Sequence, residues 1–474
     1  MATGPGAVER TLVQYSENLQ STLRQDSVLD QLPTFRTSGL LPRETRADYR
    51  PYLRSTPVPK TDTGVHDAAG VRMVVIDGQL YDQPLDQAAY GLDNLVSYSL
   101  TGDRLYLDRA VAQASRLTER RVESRGGWYY PYPFDFDLHG YSGERMSAPW
   151  YSGMAQGQAL SLFSRLHTTT GEARWRSAAE ATFVSLLNSP SETAPWVTRV
   201  DASGLLWLEE YPRNPPERSD RTFNGQMYAL FGLHDWWVVS RDPRAEVLFD
   251  GAATMVRSVV GSIRDPGWIS RYCLAHPEVR SPKYHDIHEV QLRFVHAMTR
   301  QASFASSADL YMADYPSPAV SGTVTFNAGI HRGYRFDSAG RVVASRDLHL
   351  GRSSTAPADR RSRILQRGIY YRVTAGSLSG YWVAEQYGAR VLRGSYAPSR
   401  YGVNRTIRFA AGIYSAYQFG TDGAVTSHRT ATLVASSSAA FDRSAWWNGR
   451  RHVRVVNGIW ASMWMPLSSS TTLG

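Results

Sequence analysis

Between about residue 85 and residue 315, hydrophobic positions recur with the period of an α-helix. They fall into pairs of segments, and within each pair a short polar turn such as T-G-D, T-G-E or S-R-D-P joins the two members. Turns of this kind end one helix and begin the next. The pattern therefore predicts four helix hairpins, which occupy residues 85–122, 152–189, 223–260 and 284–315.

Consecutive helix hairpins can build an α/α toroid, in which the longer loops between the hairpins form the active face. The loops at 124–150, 192–221 and 263–284 are rich in aromatic and ionisable residues, so we expect them to form that face. We predict that this helical domain spans residues 75–315. Residues 1–74 are polar and contain many prolines, which is typical of an arm or a small ancillary element.

After about Pro316 the hydrophobic period changes to two, which is the period of a β-strand. The β segment that begins there recurs later in the chain, and the repeat aligns Phe326, Gly329, Tyr334 and Phe336 with Phe409, Gly412, Tyr417 and Phe419. The duplication predicts two small all-β modules, each a barrel of about five short strands. The first occupies residues 316–384, and residues 385–474 contain a linker followed by the second. The predicted fold class is therefore α+β and multidomain, with the toroid followed by two barrel-like repeats.

The composition indicates a folded chain with acidic partners. Of the 474 residues, 42% are hydrophobic and 20% are charged, which is unlike a disordered sequence. Aromatic residues reach 12%, and their rings can stack on sugars as well as fill a core. The net charge of +9 attracts acidic partners of any kind. Because the arginines are scattered and form no basic run, no nucleic-acid partner is expected, and an anionic lipid surface or an acidic polysaccharide stays open.

The sequence predicts no metal, cofactor or membrane span. Cys273 is the only cysteine, so we expect neither a disulfide nor a cysteine-based metal site. His285 and His288 lie three residues apart, but no H-E-x-x-H spacing and no third ligand accompany them. No G-x-G-x-x-G fingerprint follows a strand, and no stretch approaches the roughly 20 apolar residues of a membrane helix. The N-terminus lacks an apolar signal segment. If a signal peptide has been removed, a secreted or cell-surface location is expected, and otherwise the location is open.

Two adjacent acids and a tyrosine, Glu209, Glu210 and Tyr211, stand between an apolar run and a proline-rich turn. From the residues alone, Glu210 is either a solvated loop acid or a proton-transfer group, because an acid beside a phenol suits both. Tyr284 is likewise either an aromatic that packs at a helix start or an active-site phenol. Arg271 is either a member of a surface ion pair or a ligand for an acidic substrate.

The starts of two predicted helices carry small and amide residues. Gly153 and Gly157 lie one turn apart, which allows another element to pack closely against that helix. Gln156, between them, can point its amide at whatever lies over the helix start. Asn224 lies at the start of the next hairpin, where its side chain either caps the helix or faces a cleft.

Four segments, taken in chain order, carry a family resemblance: A-P-W-Y-S-G-M-A-Q-G-Q-A-L-S-L-F-S-R-L, E-E-Y-P, N-G-Q-M-Y-A-L-F-G-L-H-D-W-W and Y-H-D-I-H-E-V-Q-L-R. They strongly resemble the C-terminal catalytic domain of the D-glucuronyl C5-epimerases, which invert C5 of glucuronic acid units in heparan-type polysaccharides. The resemblance covers about residues 75–312 and is densest at 146–166, 205–237 and 268–293. The β repeats lie outside it.

The resemblance implies a set of active-site residues. In that family the glutamate and tyrosine of E-E-Y-P line the active site, as does a tyrosine that precedes a histidine at the last helix. Here these positions are Glu210, Tyr211 and Tyr284. An arginine upstream of that helix handles the substrate's acidic group in the family and matches Arg271. Trp268 stands where the family has a tyrosine, so the phenol is lost but an aromatic wall for a sugar ring is kept.

Inversion at C5 removes a weakly acidic hydrogen next to a carboxylate. The reaction needs a base on one face, an acid on the other, and positive or hydrogen-bonding groups on the carboxylate. We assign Glu210 and Tyr284 to proton transfer, and with Tyr211 they are the predicted catalytic residues. Substrate binding is predicted for the remaining candidates, which are Arg271, Trp268, His285, Asn224, Tyr151, Gln156 and Tyr90.

The predicted function is an epimerase that converts D-glucuronic acid residues of a heparosan-like or heparan-like polysaccharide to L-iduronic acid. A polysaccharide lyase is one alternative, because it shares the proton abstraction and differs only in expelling the C4 oxygen. A non-catalytic glycan-binding surface protein is the other. The predicted partner is an acidic polysaccharide, and the β repeats are predicted to bind polymer or a cell surface. A homodimer stays open.

Overall fold

The computed structural model describes residues 5–26, 29, 31–316, 319–364, 367–385, 390–396, 399–420, 425–447 and 450–474. The chain divides into two compact units. The first unit comprises Met1–Ile263 and Arg271–Arg280, and the second comprises Arg264–Ser270 and Ser281–Gly474. In the described part of the chain, no helix is both long enough and apolar enough to cross a membrane.

The first unit is mainly helical. Its described α-helices are α1 (Pro5–Gln25), α2 (Pro84–Thr101), α3 (Arg104–Arg120), α4 (Gly153–Thr170), α5 (Ala173–Ser185), α6 (Phe223–Ser240) and α7 (Pro243–Ile263). Three of the predicted hairpins are thus confirmed as α2–α3, α4–α5 and α6–α7. Gly102 and Gly171 end α2 and α4 in the left-handed conformation, with φ of 72° at both, which explains why a T-G turn follows each of these helices.

The loops of the first unit are built on short antiparallel strand pairs. In chain order these pairs are β1 (Met73–Ile76) with β2 (Gln79–Asp82), β3 (Val122–Ser124) with β4 (Gly127–Tyr129), β5 (Phe136–Asp137) with β6 (Arg145–Met146), and β7 (Thr198–Val200) with β8 (Leu206–Leu208). Three of these four pairs lie in or at the edge of loops that the sequence marked as functional.

Helices α4 and α6 pack at very close range because glycines face each other. A Cβ on Gly232 of α6 would lie 2.8 Å from Cα of Gly157 of α4, and a Cβ on Gly157 would overlap the backbone of Ala229. A Cβ on Gly153 would lie 3.0 Å from the carbonyl carbon of Leu208. The predicted close approach at Gly153 and Gly157 is therefore confirmed, and it draws the starts of α4 and α6 together beside the end of β8.

The second unit contains the fourth predicted hairpin and the repeats. The hairpin is α8 (Pro282–Thr299) with α9 (Ala302–Asp314). The strands of the first repeat are β9 (Ala319–Phe326), β10 (Gly329–Phe336), β11 (Val342–Leu350), β12 (Ser354–Ile364), β13 (Gly368–Val373), β14 (Trp382–Ala384) and β15 (Arg390–Tyr396). Those of the second are β16 (Ser399–Phe409), β17 (Gly412–Phe419), β18 (Val425–Leu433), β19 (Ser437–Trp447), β20 (Arg450–Val455), β21 (Trp464–Pro466) and β22 (Thr471–Leu473).

The two repeats form antiparallel sheets with the same strand order. The first sheet runs β11-β10-β14-β13-β12-β9-β15, and the second runs β18-β17-β21-β20-β19-β16-β22. Equivalent ion pairs join Arg372 to Asp359 in the first sheet and Arg454 to Asp442 in the second. The duplication is confirmed, but each sheet has seven described strands rather than about five. Closure of these sheets into barrels, and of the hairpins into a toroid, stays a prediction.

Candidate active site

The hairpin β7–β8 presents the E-E-Y-P segment. Its turn is held by Asp201, whose Oδ1 accepts hydrogen bonds from the backbone N–H groups of Ser203 at 2.8 Å and Leu205 at 3.0 Å. Gln226 of α6 then satisfies the free edge of β8, because its Oε1 accepts from the Leu208 N–H at 2.7 Å. The two glutamates follow directly after this fixed strand, so their directions are set by the backbone before any side-chain contact is made.

Glu209 points to a buried ion pair. Its Oε1 accepts from Nε of Arg199 at 2.7 Å, and its Oε2 accepts from the backbone N–H of Arg221 at 3.0 Å. Both side chains of the pair are buried. Burial raises the pKa of Glu209, and the charge and hydrogen bonds of Arg199 oppose that effect. Glu209 is therefore a structural acid that ties β8 to β7 and to the segment before α6.

Glu210 points to the other side, where the described residues offer hydroxyl groups instead of a cation. The side chain is 4% exposed. The hydroxyl of Tyr272 lies 3.4 Å from Oε1 and 3.3 Å from Oε2. Gly225 leaves the space that the carboxylate fills, because a Cβ there would lie 2.8 Å from Cβ of Glu210. In the N-G-Q stretch of α6, Gly225 thus leaves room for the Glu210 side chain, and the Gln226 amide accepts a hydrogen bond from β8.

Burial without a cation raises the pKa of Glu210 to about 8. The nearby charge of Asp220 adds to the shift, whereas hydrogen bonds from Tyr211 and Tyr272 oppose it. A group with such a pKa exchanges a proton readily near neutral pH, which a carboxyl group with its ordinary pKa near 4.3 does not. A buried acid with a shifted pKa beside a cleft is a recognised sign of a functional site.

Tyr211 belongs to an aromatic wall. Its ring lies 6.0 Å from that of Trp150 and 6.1 Å from that of Phe136. Burial, with the Glu210 charge, raises the pKa of Tyr211 well above its usual value. The Tyr211 hydroxyl is therefore a hydrogen-bond donor at neutral pH and not a phenolate.

A cleft of about 590 Å³ opens beside this wall. Its lining combines aromatic rings with arginines, and the principal members are Trp150, Tyr151, Trp196, Arg145, Arg213 and Arg218. Pro212, which directly follows Tyr211, also lines the cleft, whereas Glu210 does not. An aromatic and cationic surface of this kind suits an acidic sugar. In the sequence, Tyr211 stands between Glu210 and Pro212, the first of which is outside the cleft lining and the second part of it.

Arg271 and Tyr272 begin a short loop that folds back on itself. The N–H of Tyr272 donates to the Val279 carbonyl at 2.9 Å, and the Phe223 N–H donates to the Tyr272 carbonyl at 3.1 Å. These bonds hold Tyr272 against the start of α6, where Glu210 packs. Nε of Arg271 is buried and has no hydrogen-bond partner in the described part of the first unit. A buried guanidinium nitrogen in that state is suited to an anionic ligand.

The other predicted site residues of the first unit are Asn224, Tyr151, Tyr90 and Gln156. Asn224 is buried, and its Nδ2 lies 4.0 Å from the Met154 sulfur. Tyr151 is half-buried on the cleft described above. Tyr90 lines another cleft of about 450 Å³ on α2 and α3 and lies under the guanidinium of Arg72.

Gln156 has a packing role in the structure. Its Oε1 accepts from the Tyr130 N–H at 3.1 Å, while its Nε2 donates to the Trp128 carbonyl at 2.7 Å and to Oγ of Ser185 at 2.6 Å. The residue is fully buried. Because both ends of the amide are used by the protein, we correct its assignment from substrate contact to positioning of the loop that contains β4.

The other predicted site residues lie in the second unit. Tyr284 is at the third position of α8, with Nζ of Lys283 5.6 Å from its ring centre. Trp268 packs edge-on against Tyr315 at 5.4 Å. His285 is buried, with Nδ1 accepting from the Ser270 N–H at 3.0 Å and Nε2 donating to the Tyr311 carbonyl at 2.8 Å.

The histidines of α8 are therefore packing residues. Both ring nitrogens of His285 are engaged, which leaves neither for a substrate carboxylate, and its assignment to substrate binding is corrected accordingly. His288 is fully buried, its Nδ1 lies 3.0 Å from Oγ of Ser270, and burial lowers its pKa to about 3. His285 and His288 both contact Ser270, and their ring nitrogens are not arranged to bind a metal together.

A second cluster of reactive side chains lies in the loops of the first unit. Within the described residues, one group of potential metal ligands is present, formed by His139, Asp220, Cys273 and His276. Their ligand atoms all lie within 4.8 Å of one another. The expectation that a single cysteine excludes a cysteine-containing metal site overlooked mixed donor sets, and the C-x-x-H spacing of Cys273 and His276 was the available signal.

Sequence reasoning also missed Tyr272. It lies in a loop that was predicted to be functional, but no spacing or motif connects it to Glu210, because the two are brought together only by the hydrogen bonds at the start of α6. By contrast, Glu210 and Tyr211 were identified through the family resemblance, and their catalytic role stays a prediction.

Comparison with known proteins supports the resemblance. Residues 123–312 match the family model described as the D-glucuronyl C5-epimerase C-terminus. A D-glucuronyl C5-epimerase of Caenorhabditis elegans is 24% identical over 237 residues, which cover 46% of this chain and 36% of that protein. The chain thus matches about a third of the length of this relative.

Solved structures with some likeness include carbohydrate-active proteins. Cellobiose 2-epimerase from Spirochaeta thermophila has 17% identity and a TM-score of 0.38, covering 52% of this chain and 63% of that one. A D-mannose isomerase has 13% identity and a TM-score of 0.36, covering 52% and 64%. These scores are too low to support an argument, so the assignment depends on the sequence match. By that match, residues 123–312 are similar to the C-terminal region of the D-glucuronyl C5-epimerases.

Proposed function

We propose that this chain is an epimerase that inverts C5 of D-glucuronic acid residues within an acidic polysaccharide of the heparosan or heparan type, giving L-iduronic acid. The proposal combines this sequence similarity with one observation. Glu210 is a buried carboxyl group that faces tyrosine hydroxyls and has a pKa of about 8. A pKa of about 8 supports a group that takes and returns a proton near neutral pH, which is the central requirement of the proposed reaction.

The first step in this proposal is abstraction of the C5 hydrogen. Ionised Glu210 takes the proton, the C5–H bond breaks, and its electron pair moves toward the substrate carboxylate to give an enediolate-like state. The charge that develops on the carboxylate oxygens needs donors already in place. We assign this role to Arg271, since its buried Nε lacks a partner in the described first unit. The Tyr211 and Tyr272 hydroxyls each donate their single hydrogen to ionised Glu210, and they turn it to the substrate carboxylate as Glu210 takes the proton.

The second step returns a proton to C5 from the opposite face. The family resemblance implies Tyr284 for this role, and we retain that assignment as part of the proposal. After the transfer, C5 has the inverted configuration, and the two protein groups regain their starting states by exchange with water. No bond of the sugar chain is broken, so the polymer keeps its length.

The substrate class follows from charge and shape. The cleft with Trp150, Tyr151 and Trp196 offers flat rings, and Arg145, Arg213 and Arg218 add positive charge. Rings of this kind stack on sugars, and arginines bind carboxylate or sulfate groups in pairs of hydrogen bonds. With a net charge of +9, the chain also attracts a polyanion at long range. We therefore propose a long acidic glycan that extends from the Glu210 site across this cleft.

The test is solvent exchange at C5. Glucuronic-acid polymers of the heparosan, N-sulfated heparosan and chondroitin types are incubated with the full chain in deuterated water and examined by NMR. Deuterium at C5, with new iduronic acid signals and unchanged chain length, supports the proposal. Shortened chains with a C4–C5 double bond would identify a lyase instead. Binding of the polymer without deuterium incorporation in any of the three would identify a glycan-binding protein and refute the proposal.

A further inference from the structure

The side chains of His139, Asp220, Cys273 and His276 do not themselves exchange protons with the substrate in the proposed reaction, although the charge of Asp220 contributes to the raised pKa of Glu210. We propose that this cluster is a structural site for one divalent transition-metal ion, with zinc as the expected ion, held by these four side chains of the first unit. This inference goes beyond the proposed function and does not depend on it.

The ligand atoms converge on one point. Oδ1 of Asp220 lies 3.1 Å from Nε2 of His139 and 2.7 Å from Nδ1 of His276. Sγ of Cys273 lies 3.9 Å from each of the same two nitrogens. Zinc bonds of about 2.0 Å to nitrogen and about 2.3 Å to sulfur give tetrahedral edges of roughly 3.3–3.5 Å. The observed separations lie on either side of that range and differ from it by about 0.2–0.6 Å, so small side-chain movements would complete the tetrahedron.

The same geometry argues against a nucleophile relay. In a cysteine–histidine–acid relay, one ring nitrogen faces the nucleophile and the other nitrogen of the same ring faces the acid. Here Nδ1 of His276 faces both Asp220 and Cys273, and Nε2 of His139 does the same. In each ring, one and the same nitrogen faces both the Asp220 oxygen and the Cys273 sulfur. This arrangement is that of a metal coordination shell and not of a proton relay.

The chain is arranged to bring these ligands together. The loop that contains Cys273 pairs with the segment before α6, with the Ala275 N–H donating to the Asp220 carbonyl at 3.2 Å and an isolated β-bridge joining Thr222 to Cys273. His139 adopts a left-handed conformation, with φ of 57°, which is unfavourable for a residue with a Cβ. Such conformations are commonly held in place at functional sites.

Two further contacts orient the proposed ligands. Oγ1 of Thr222 donates to Oδ2 of Asp220 at 2.9 Å, which leaves Oδ1 directed at the two histidines. The backbone N–H of His276 donates to Sγ of Cys273 at 3.4 Å, a contact that suits a thiolate. Metal ligands in proteins are usually fixed by partners of this kind. Asp220 and Cys273 are fully buried, and His139 and His276 are only partly exposed.

The donor set indicates which ion is held. Two imidazole nitrogens, one thiolate and one carboxylate are typical ligands for zinc, whereas calcium and magnesium prefer oxygen alone. Four protein ligands leave no open position, which is characteristic of structural and not catalytic zinc. The ion would join three loops, and one of them contains Tyr272, the hydroxyl partner of Glu210.

The experiment is a cobalt titration of the full chain, with any affinity tag removed and metals stripped by a chelator under reducing conditions. Cobalt replaces zinc at such sites and gives visible bands when the ion is tetrahedral. Because Cys273 is the only cysteine, a sulfur-to-cobalt charge-transfer band can arise only from this site. We expect one equivalent of cobalt with both spectral features, displacement by zinc, and a higher Tm with zinc than without it.

Variants separate the proposed site from binding elsewhere. Cys273→Ala should remove the charge-transfer band, and His276→Gln should weaken cobalt binding by at least about tenfold. Both substitutions are close in size to the native side chain, and circular dichroism of the metal-free proteins checks that they fold. His66→Gln is the matched control, because His66 lies 3.6 Å from Asp62 in the same unit without a cysteine, and it should bind one equivalent as before.

Three results would overturn the proposal. The first is the absence of cobalt or zinc binding at micromolar metal by the folded chain, which would leave the cluster as a hydrogen-bond network. The second is binding without a charge-transfer band, which would exclude Cys273. The third is unchanged affinity in both Cys273→Ala and His276→Gln. Binding does not require epimerase substrate, so failure of the proposed function and failure of this site can be distinguished.

Discussion

At the end of β8, the adjacent residues Glu209 and Glu210 point to opposite sides of the chain and meet different partners. On one side Glu209 meets the guanidinium of Arg199 at 2.7 Å, and on the other Glu210 meets the hydroxyl of Tyr272 at 3.3 Å. Both acids are buried, so burial alone does not separate them. The difference lies in the partner, because a cation holds an acid in its ionised form, whereas hydroxyls leave its pKa near neutrality. A buried acid in an ion pair and a buried acid with a pKa of about 8 can thus occupy consecutive positions.

The largest effect is expected from Glu210→Gln, which keeps the size of the side chain but removes the basic oxygen. Loss of a general base typically costs about 10²–10⁴-fold in rate, so deuterium incorporation at C5 should fall by that factor. Glu246→Gln, a partly buried acid that accepts from Trp237 in the same unit, is the matched control and should exchange normally. Wild-type exchange by folded Glu210→Gln would return Glu210 to a packing role.

Glu209→Gln should show the opposite profile, with loss of stability as its main effect. The amide leaves Arg199 buried without its ion-pair partner, and breaking a buried pair in this way costs about 3–5 kcal/mol. Urea denaturation measures this free energy of unfolding. A variant with wild-type stability would contradict the structural role of Glu209. If Glu209→Gln lost exchange but not stability, the assignment of roles to the two glutamates would be reversed.

The pH dependence of stability should carry the signature of Glu210. Its folded pKa of about 8 lies above the unfolded value near 4.3, so between those values the folded state binds about one more proton than the unfolded state. The free energy of unfolding should therefore decrease with rising pH across this window, by up to about 1.4 kcal/mol per pH unit. Glu210→Gln should remove this slope. Equal slopes in the two proteins would mean that the pKa of Glu210 is not raised.

A smaller effect is expected from Tyr272→Phe. The Tyr272 hydrogen bond lowers the pKa of Glu210, so its removal should raise that pKa further and move the rising limb of the pH–rate profile to higher pH. The expected rate loss is about tenfold, as for one hydrogen bond to a charged group. Tyr106→Phe is the control, because it removes a buried hydroxyl that donates to the Val58 carbonyl at 2.8 Å. An unshifted profile in Tyr272→Phe would remove Tyr272 from the site.

Tyr284→Phe tests the role that the family resemblance implies in the second unit. The ring and its packing are kept, so stability should change by about 1 kcal/mol or less. Exchange at C5 by abstraction alone can persist while formation of iduronic acid falls, because only the second step needs a donor on the opposite face. The ratio of inverted product to exchanged deuterium measures this. An unchanged ratio would return Tyr284 to packing at the start of α8.

The smallest effect on catalysis is expected from the duplicated sheets. We propose that they retain the protein on a polymer, since two linked weak sites gain by effective concentration. Substituting an exposed residue at the same position of each repeat, Ile330→Ser and Ile413→Ser, should weaken retention on long polymer without changing turnover of a short oligosaccharide. Unchanged retention in the double variant would exclude these positions from polymer binding.

Much of this architecture could be predicted from the sequence, since it depends on local periodicity. All four helix hairpins and the duplication were visible as hydrophobic periods of 3.6 and 2. The number of strands in each repeat could not be predicted, because β15 comes from the segment predicted to be a linker and pairs with β9, which is far away in sequence. On α8 the apolar Val290 is 45% exposed, whereas the polar His285 and His288 are buried by hydrogen bonds that no hydrophobic pattern reveals.

The candidate site was partly predictable for a similar reason. The E-E-Y-P motif identified Glu210, but the sequence could not show which of two adjacent acids would meet Arg199, ten positions upstream, across the β7–β8 hairpin. Tyr272 and the ligands around Asp220 were missed because they come from separate loops that meet only in the folded chain. The role of Gly225, whose lack of a side chain makes room for the Glu210 carboxylate, could likewise not be predicted from the sequence.

The raised pKa of Glu210 is measured most directly by titration of its own carboxyl group. Protein labelled with ¹³C at the glutamate carboxyl carbon is followed by NMR from about pH 5 to pH 9, and Glu210→Gln identifies the signal that belongs to this residue. We predict a carboxyl group that remains protonated at pH 6 and titrates with a midpoint near 8. A Glu210 signal that is already ionised at pH 6, with a midpoint near the ordinary value of about 4.3, would contradict the account.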